Sequence, residues 1–197
     1  MKTPDRRESL GEFLNQEQLT GTIVEVGCAH GGFARMVLKD WKGSFYYMVD
    51  PWKAQDPDVY KERQEEPWKY DRWFDEVVAM AVADHRIRPF RMLSSTAVSY
   101  FDDASLDSVY IDGNHDLEHC YEDICLWYPK VRPGGLFGGH DCYNATTDGY
   151  YCQVKDAVDK WFKETGNTVV LTDCSSWWHR KPVRYVATTE DEERMAQ

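Results

Sequence analysis

The sequence predicts an α/β domain: a mostly parallel sheet with helices packed on both faces. Three observations point there. Apolar, β-branched runs alternate with segments of helical period along most of the 197 residues. A glycine loop, "EVGCAHGG", joins the first such run to the first long helix. Two later strands, Val109–Ile111 and Leu136–Phe137, run into "DGNH" and "HDC", each pairing an aspartate with a histidine.

The elements follow in chain order. Residues 7–19 place Leu10, Phe13, Leu14 and Leu19 at helical spacing, a short amphipathic helix within an N-terminal segment 1–19. "GTIVEVG" (21–27) is a buried strand ending in glycine. "GGFARMVLKDW" (31–41) is a helix with Phe33, Met36, Val37 and Trp41 on one face. "SFYYMVD" (44–50) is a strand closing on Asp50. Residues 51–72 are polar and proline-punctuated and are expected to form a lid or insertion. Helical period returns over 73–85. "IRPFRML" is a strand whose Pro89 places it at a sheet edge. "STAVSYF" is a short helix. After "DGNH" a helix carries Leu117, Cys120, Tyr121, Ile124, Trp127 and Tyr128 on one face, and "RPGG" stops it. "VKDAVDKWFKE" (154–164) is amphipathic, and "TVVLTD" and "SSWWHRKPVRYVATT" supply closing strands. Residues 190–197 read as a solvated tail. The whole chain, 1–197, is expected to be one domain.

Composition narrows the function. Net charge is −11, which repels a polyphosphate backbone, and no basic cluster offsets it. Nucleic acid is therefore not an expected partner. No run of about 18 apolar residues indicates a membrane span, and the N-terminus lacks the apolar stretch of an export signal. Six cysteines (Cys28, Cys120, Cys125, Cys142, Cys152, Cys174) form no CxxC pair and read as reduced thiols of a cytoplasmic protein. A zinc site from Cys142, Cys152 and Cys174 lacks ligand spacing.

In an open parallel sheet, ligands bind outside the carboxyl ends of the strands, so strand-end residues are the site candidates. A glycine at the strand–helix turn lets backbone approach a ligand, and the helix N-terminus offers free amides. The dinucleotide fingerprint GxGxxG is broken, since Ala29 stands at its second glycine. Asp50 lies 23 residues beyond Gly27, about the interval at which an acid takes ribose hydroxyls in such βαβ units. The alternative is a tight turn made by Glu25, Gly27 and Gly31, with Asp50 an ordinary loop acid.

The chain resembles class I S-adenosylmethionine-dependent methyltransferases, in the small branch that includes macrolide-sugar O-methyltransferases and cephalosporin-hydroxylase-like proteins. The resemblance rests on "VEVGCAHGGFA", "YYMVDPW", "MLSSTAVSYF", "LDSVYIDGNHDLEHCYEDICLWYPKVRPGGLFGGHDC" and "VKDAVDKWF". It implies a Rossmann-like sheet of seven strands with an antiparallel strand near the C-terminus. It also implies that Glu25, Gly27 and Gly31 line the methionine part of the cofactor and that Asp50 binds the ribose. Ser94 and Ser95 would lie near the adenine, Trp52 would pack on the cofactor or in the core, and Asp112 would sit beneath the sulfonium.

Methyl transfer to oxygen needs alignment and a deprotonated hydroxyl. Asp112 and Asp141 are expected to hold a divalent cation between two strand ends, magnesium by ligand hardness. His140 is a third ligand or a support for one, which admits manganese or another metal. His115, three residues past Asp112, is the general-base candidate, matching its role in relatives with the "DGxH" pattern. The bland alternatives are Asp112 contacting ligand without metal, His115 capping a helix, and His140 satisfied at a strand end. His85, His119 and His179 take structural roles; His30 stays open. Aromatics in two groups (Trp52, Tyr60, Trp68, Tyr70, Trp73; Tyr143, Tyr150, Tyr151) pack locally or wall an acceptor pocket. The expected activity is methylation of a hydroxyl on a small molecule or glycan, and a homo-oligomer is compatible with it. The rivals are a nucleotide- or RNA-directed methyltransferase, a cofactor binder without turnover and, weakest, a dehydrogenase.

Overall fold

The structure, a computed structural model, describes residues 2–56, 60, 64–147, 150–172 and 175–183. Strands β1 (Thr22–Val26), β2 (Phe45–Asp50), β3 (Ile87–Arg91), β4 (Leu106–Ile111) and β5 (Val131–Gly139) pair in parallel. Strand β6 (Asn144–Thr147) and β7 (Tyr150–Gln153) form a separate hairpin. Strand β9 (Trp177–Arg180) returns antiparallel beside β5 and carries β8 (Val170–Leu171) at the edge. The seven-stranded order is β3-β2-β1-β4-β5-β9-β8, the sheet expected from the sequence. Pro89 sits on the edge strand β3, where a missing N–H costs no ladder bond.

Helices α1 (Leu10–Gln16), α2 (Gly32–Asp40) and α3 (Pro67–Ala83) cover one face; α4 (Ser94–Ala97), α5 (Leu117–Trp127) and α6 (Val154–Thr165) cover the other. On the first face Leu14, Phe33, Val37 and Val77 meet Tyr46, Met48 and Tyr110; on the second Ile124, Trp127, Val158 and Trp161 meet Val109 and Phe137. Strand β4 lies between the two cores and is buried at all six positions, Asp107 and Ser108 included; its apolar stretch Val109–Ile111 is what a strand covered on both faces requires. Six tryptophans (Trp41, Trp52, Trp127, Trp161, Trp177, Trp178) are fully buried. Each large apolar side chain so placed contributes about 1.5–3 kcal/mol.

Two local expectations change, and one element is new. The segment 51–72 is not all lid: α3 starts at Pro67, whose fixed φ suits a first helical position, and the pairs Lys69–Glu65 and Arg72–Glu76 brace its polar first turns. "RPGG" lies within β5, with Gly134 at φ +76°, while α5 has already ended and passed through a 3₁₀ turn at Tyr128–Lys130. The residues after "HDC", for which the sequence suggested no element, fold into the β6–β7 hairpin. Cys174, the tail 190–197 and the end of the closing-strand segment (184–189) lie outside the described residues. Among the described residues no helix is long and apolar enough to cross a membrane.

Candidate active site

The carboxyl ends of β1, β2, β4 and β5 meet in one crest, tied by backbone bonds. Asp112 N donates to Val26 O (2.7 Å), Gly27 N to Val49 O (2.9 Å) and His140 N to Ile111 O (3.0 Å). Gly27 is required here. Its φ is +83°, and a Cβ on it would fall 2.0 Å from the carbonyl oxygen of Asp112. The glycine loop therefore presses directly on the "DGNH" turn and fixes where Asp112 stands.

Asp112, His115 and Asp141 converge, with ligand-type atoms all within 4.8 Å of one another. His115 Nε2 lies 3.5 Å from Asp112 Oδ1 and 3.4 Å from Asp141 Oδ2. All three are partly exposed, so the cluster opens to solvent. His140 flanks the cluster: Nδ1 is 2.9 Å from Asp141 Oδ1 and 4.0 Å from Asp112 Oδ1. His140 Nε2 is buried and without a hydrogen-bond partner among the described residues. Burial pushes the Asp141 carboxyl up, but the hydrogen bond from His140 and the charges of His140 and His115 outweigh it and hold it below the usual carboxylate range. The β6–β7 hairpin braces this corner. Gln153 N donates to His115 O (2.7 Å), and the Cys152 thiol reaches the carbonyls of Asp141 (3.4 Å) and Tyr143 (3.2 Å). Helix α5 is capped by Asp116, whose side chain accepts from His119 N, so His115 is not the cap. Two carboxylates and an imidazole suit magnesium or manganese; the thiols of Cys142 and Cys152 are buried behind the cluster.

On the cofactor side, Asp50 Oδ2 accepts from Cys28 N (2.9 Å) and Ala29 N (3.0 Å), and Oδ1 from Trp52 N (2.7 Å). Burial raises its proton affinity and these three amides oppose the rise. Asp50 thus shapes the glycine loop itself. Trp52 is fully buried; its indole N–H donates to Ala29 O (2.7 Å) and its ring packs on Phe74, pinning the loop from behind. Gly31 is the N-cap of α2 at φ +78°, where a Cβ would meet Met80 Sδ at 2.8 Å. Glu25 is buried and accepts from Tyr46 Oη (2.8 Å). Burial, then repulsion from Asp112 and Asp50, push its carboxyl well up against the Tyr46 bond. Ser95 is exposed, whereas Ser94 Oγ accepts from Trp127 Nε1 (2.7 Å) and donates to Asp123 Oδ1 (2.5 Å).

Asp123 went unnoticed in the sequence, though it shares the buried face of Cys120, Ile124 and Trp127 at helical spacing. Tyr46 likewise carried no signal of its own.

Residues 24–142, more than half of the chain, match the model of a methyltransferase domain family. The chain belongs to that family. Its activity, at this level, is S-adenosylmethionine-dependent methyl transfer on a class I fold. A search of curated proteins finds no match. Among solved structures, a candidate caffeoyl-CoA O-methyltransferase from Staphylococcus aureus superposes with TM-score 0.62 at 13% identity, over 91% of this chain and 85% of that one. An O-methyltransferase from Bacillus cereus, solved in complex with SAH, gives 0.57 at 10%, over 92% and 83%. A candidate rRNA methylase from Clostridium thermocellum gives 0.61 at 13%, over 93% and 99%. At these identities the likeness carries the fold, not the acceptor.

Proposed function

We propose that this methyltransferase acts on oxygen, methylating a hydroxyl of a small molecule or glycan, with His115 as general base and a divalent cation held by Asp112 and Asp141. The observation that carries the proposal is the convergence of Asp112, His115 and Asp141 within 4.8 Å at neighbouring strand ends. The acidic crest supports the cofactor. Asp112 and Asp50 both repel Glu25, and a ligand bearing a sulfonium and an ammonium relieves that repulsion, whereas a dinucleotide pyrophosphate adds to it. Bound there, S-adenosylmethionine supplies an activated methyl group whose sulfur departs as a neutral thioether.

The rest is the chain's work. The acceptor hydroxyl gives its proton to His115 as the new O–CH₃ bond forms and the S–CH₃ bond breaks. The carboxylates at 3.4 and 3.5 Å stabilise the resulting imidazolium. A divalent cation, magnesium or manganese, would lower the pKa of the hydroxyl touching it. Asp141 enters with its charge already favoured, and the hairpin holds His115 and Asp141 in one piece. The net charge of −11 favours a small acceptor over RNA.

The test is calorimetry with S-adenosylmethionine, its demethylated product and NAD, with and without chelation, followed by methyl transfer to a panel of hydroxyl acceptors. Binding of the adenosyl pair but not NAD, with transfer to oxygen, supports the proposal. Transfer only to nitrogen or to RNA overturns it.

A further inference from the structure

We infer that the cleft between His30 and the first turns of α3 binds an acidic sugar ring of the acceptor, stacked on Trp68 and held through its carboxylate by Arg72 and Lys69. This rests on the chain methylating a hydroxyl at the Asp112–His115–Asp141 cluster.

His30, Trp68, Lys69, Arg72, Trp73 and Glu76 line a cleft of about 360 Å³, a volume at the lower end of small-ligand sites. Topology puts it at the crest. Strands β2 and β3 are parallel, so α3 between them runs the other way and sets its first turns beside the strands' carboxyl ends. The glycine loop supplies His30, three residues past the Gly27 that presses on Asp112, or at most about 11 Å of chain. Helix α3 is locked to this loop through Met80, which fills the space a Cβ on Gly31 would need. A Cβ on Gly32 would stand 3.1 Å from His30 Cε1. The two glycines of "HGG" therefore let α3 close on the loop and the imidazole fold back over the start of α2, where it meets the Trp73 ring at 6.4 Å, inclined by 61°.

The lining selects the ligand. Six tryptophans are fully buried, yet Trp68 is 58% exposed at the cleft. Trp73, half-buried, is held upright by Tyr70, whose ring meets it at 5.5 Å and 88°. Two indoles offer an apolar floor to the C–H face of a sugar. Two cations stand at its rim. Arg72 engages Glu76 through Nε alone, at 3.2 Å, and its terminal nitrogens have no protein partner among the described residues. Lys69 meets Glu65 at 2.5 Å. Both are surface pairs one helical turn apart, which are weak and screened, whereas a carboxylate met by the guanidinium fork gains two charge-assisted bonds. Glu76 then chooses among acids. Its carboxylate needs hydrogen donors, which sugar hydroxyls supply and a benzoate-type ring lacks.

The experiment titrates the chain, loaded with S-adenosylhomocysteine, with cellobiouronic acid and with cellobiose, which differ only in the carboxylate, and reads tryptophan fluorescence and calorimetry. Wild type is expected to bind the acid at least about tenfold more tightly at low salt, with the ratio shrinking as salt rises. Trp68→Ala should weaken both sugars together. Arg72→Gln should weaken the acid alone and bring the ratio toward unity, and neither variant should change affinity for S-adenosylhomocysteine. In transfer assays on uronate-bearing oligosaccharides, Arg72→Gln should raise KM and leave kcat unchanged. Equal affinity for the two disaccharides, variants that keep the wild-type ratio, tighter binding of benzoate than of the acidic sugar, or transfer confined to neutral hydroxyls would each overturn the inference and leave the O-methyltransferase reading in place. If S-adenosylhomocysteine does not bind, that reading falls and takes the inference with it.

Discussion

Burial pushes the Asp123 carboxyl from 3.8 up to about 7, against the hydrogen bond from Ser94. Proton affinity that differs between folded and unfolded chain makes stability depend on pH. Here the folded state binds the proton more tightly. The associated stability is fully present below pH 3.8 and is lost as pH rises through about 7. Three units at 1.36 kcal/mol each give about 4 kcal/mol over the whole window, of which roughly 3 kcal/mol falls between pH 5 and 8. Asp123→Asn keeps the shape and the Ser94 bond but cannot ionise. Urea unfolding of both chains at pH 5 and pH 8 isolates the effect as a difference of differences, since other titrating groups cancel. The variant should gain about 3 kcal/mol on wild type between the two pH values. An unchanged difference would mean that Asp123 titrates normally and that water or an unseen cation reaches it.

Other outcomes follow from the same geometry. His115→Ala should lower turnover by about 100-fold or more while cofactor affinity and manganese affinity stay within about twofold, measured by initial rates and calorimetry; loss of manganese binding would make His115 a ligand. Asp112→Asn should weaken manganese binding by at least about tenfold in calorimetry of the apo chain, and rates unaffected by chelation would remove the metal from the scheme. Gly27→Ala forces a Cβ to within 2.0 Å of Asp112 O at φ +83°; it should cost at least about 2 kcal/mol and lower the thermal midpoint by roughly 4–8 °C.

Much of this was legible in the sequence, and the limits have physical causes. Strands β1, β2 and β4 announce themselves because their largely buried positions demand apolar, β-branched and aromatic side chains over most of each run, and Pro89 gives away an edge because it removes a donor. Asp112, His115 and Asp141 were legible because parallel strands deliver their carboxyl ends to one side of the sheet. The beginning of α3 was hidden: its first turns are stabilised by Lys69–Glu65 and Arg72–Glu76, which look like loop composition when burial is the guide. The hairpin carried a signal that polar composition masked, an Asp-Gly pair inside "NATTDGYYCQ". Trp52 defied reading, because its burial depends on Asp50 gathering three backbone amides and folding the chain back over the glycine loop.

Asp141 shows why the hairpin belongs to the site rather than beside it. The residue sits at φ +52°, a left-handed conformation that costs a non-glycine residue about 1–2 kcal/mol. Such strain persists only where surrounding bonds outweigh it. Cys142 N donates to Ser175 O at 2.9 Å, fixing the chain just after Asp141, and the Cys152 thiol reaches the Asp141 carbonyl from the hairpin. The same hairpin donates from Gln153 N to His115 O, so two members of the cluster are held by one element that lies outside the seven-stranded sheet. In an extended conformation the strand would carry the Asp141 side chain past the crest. The left-handed turn brings it back beside His115, with His140 behind it to hold the charge. The strain is thus the cost of bringing a carboxylate that follows β5 within 4.8 Å of one that follows β4, both in reach of His115 Nε2.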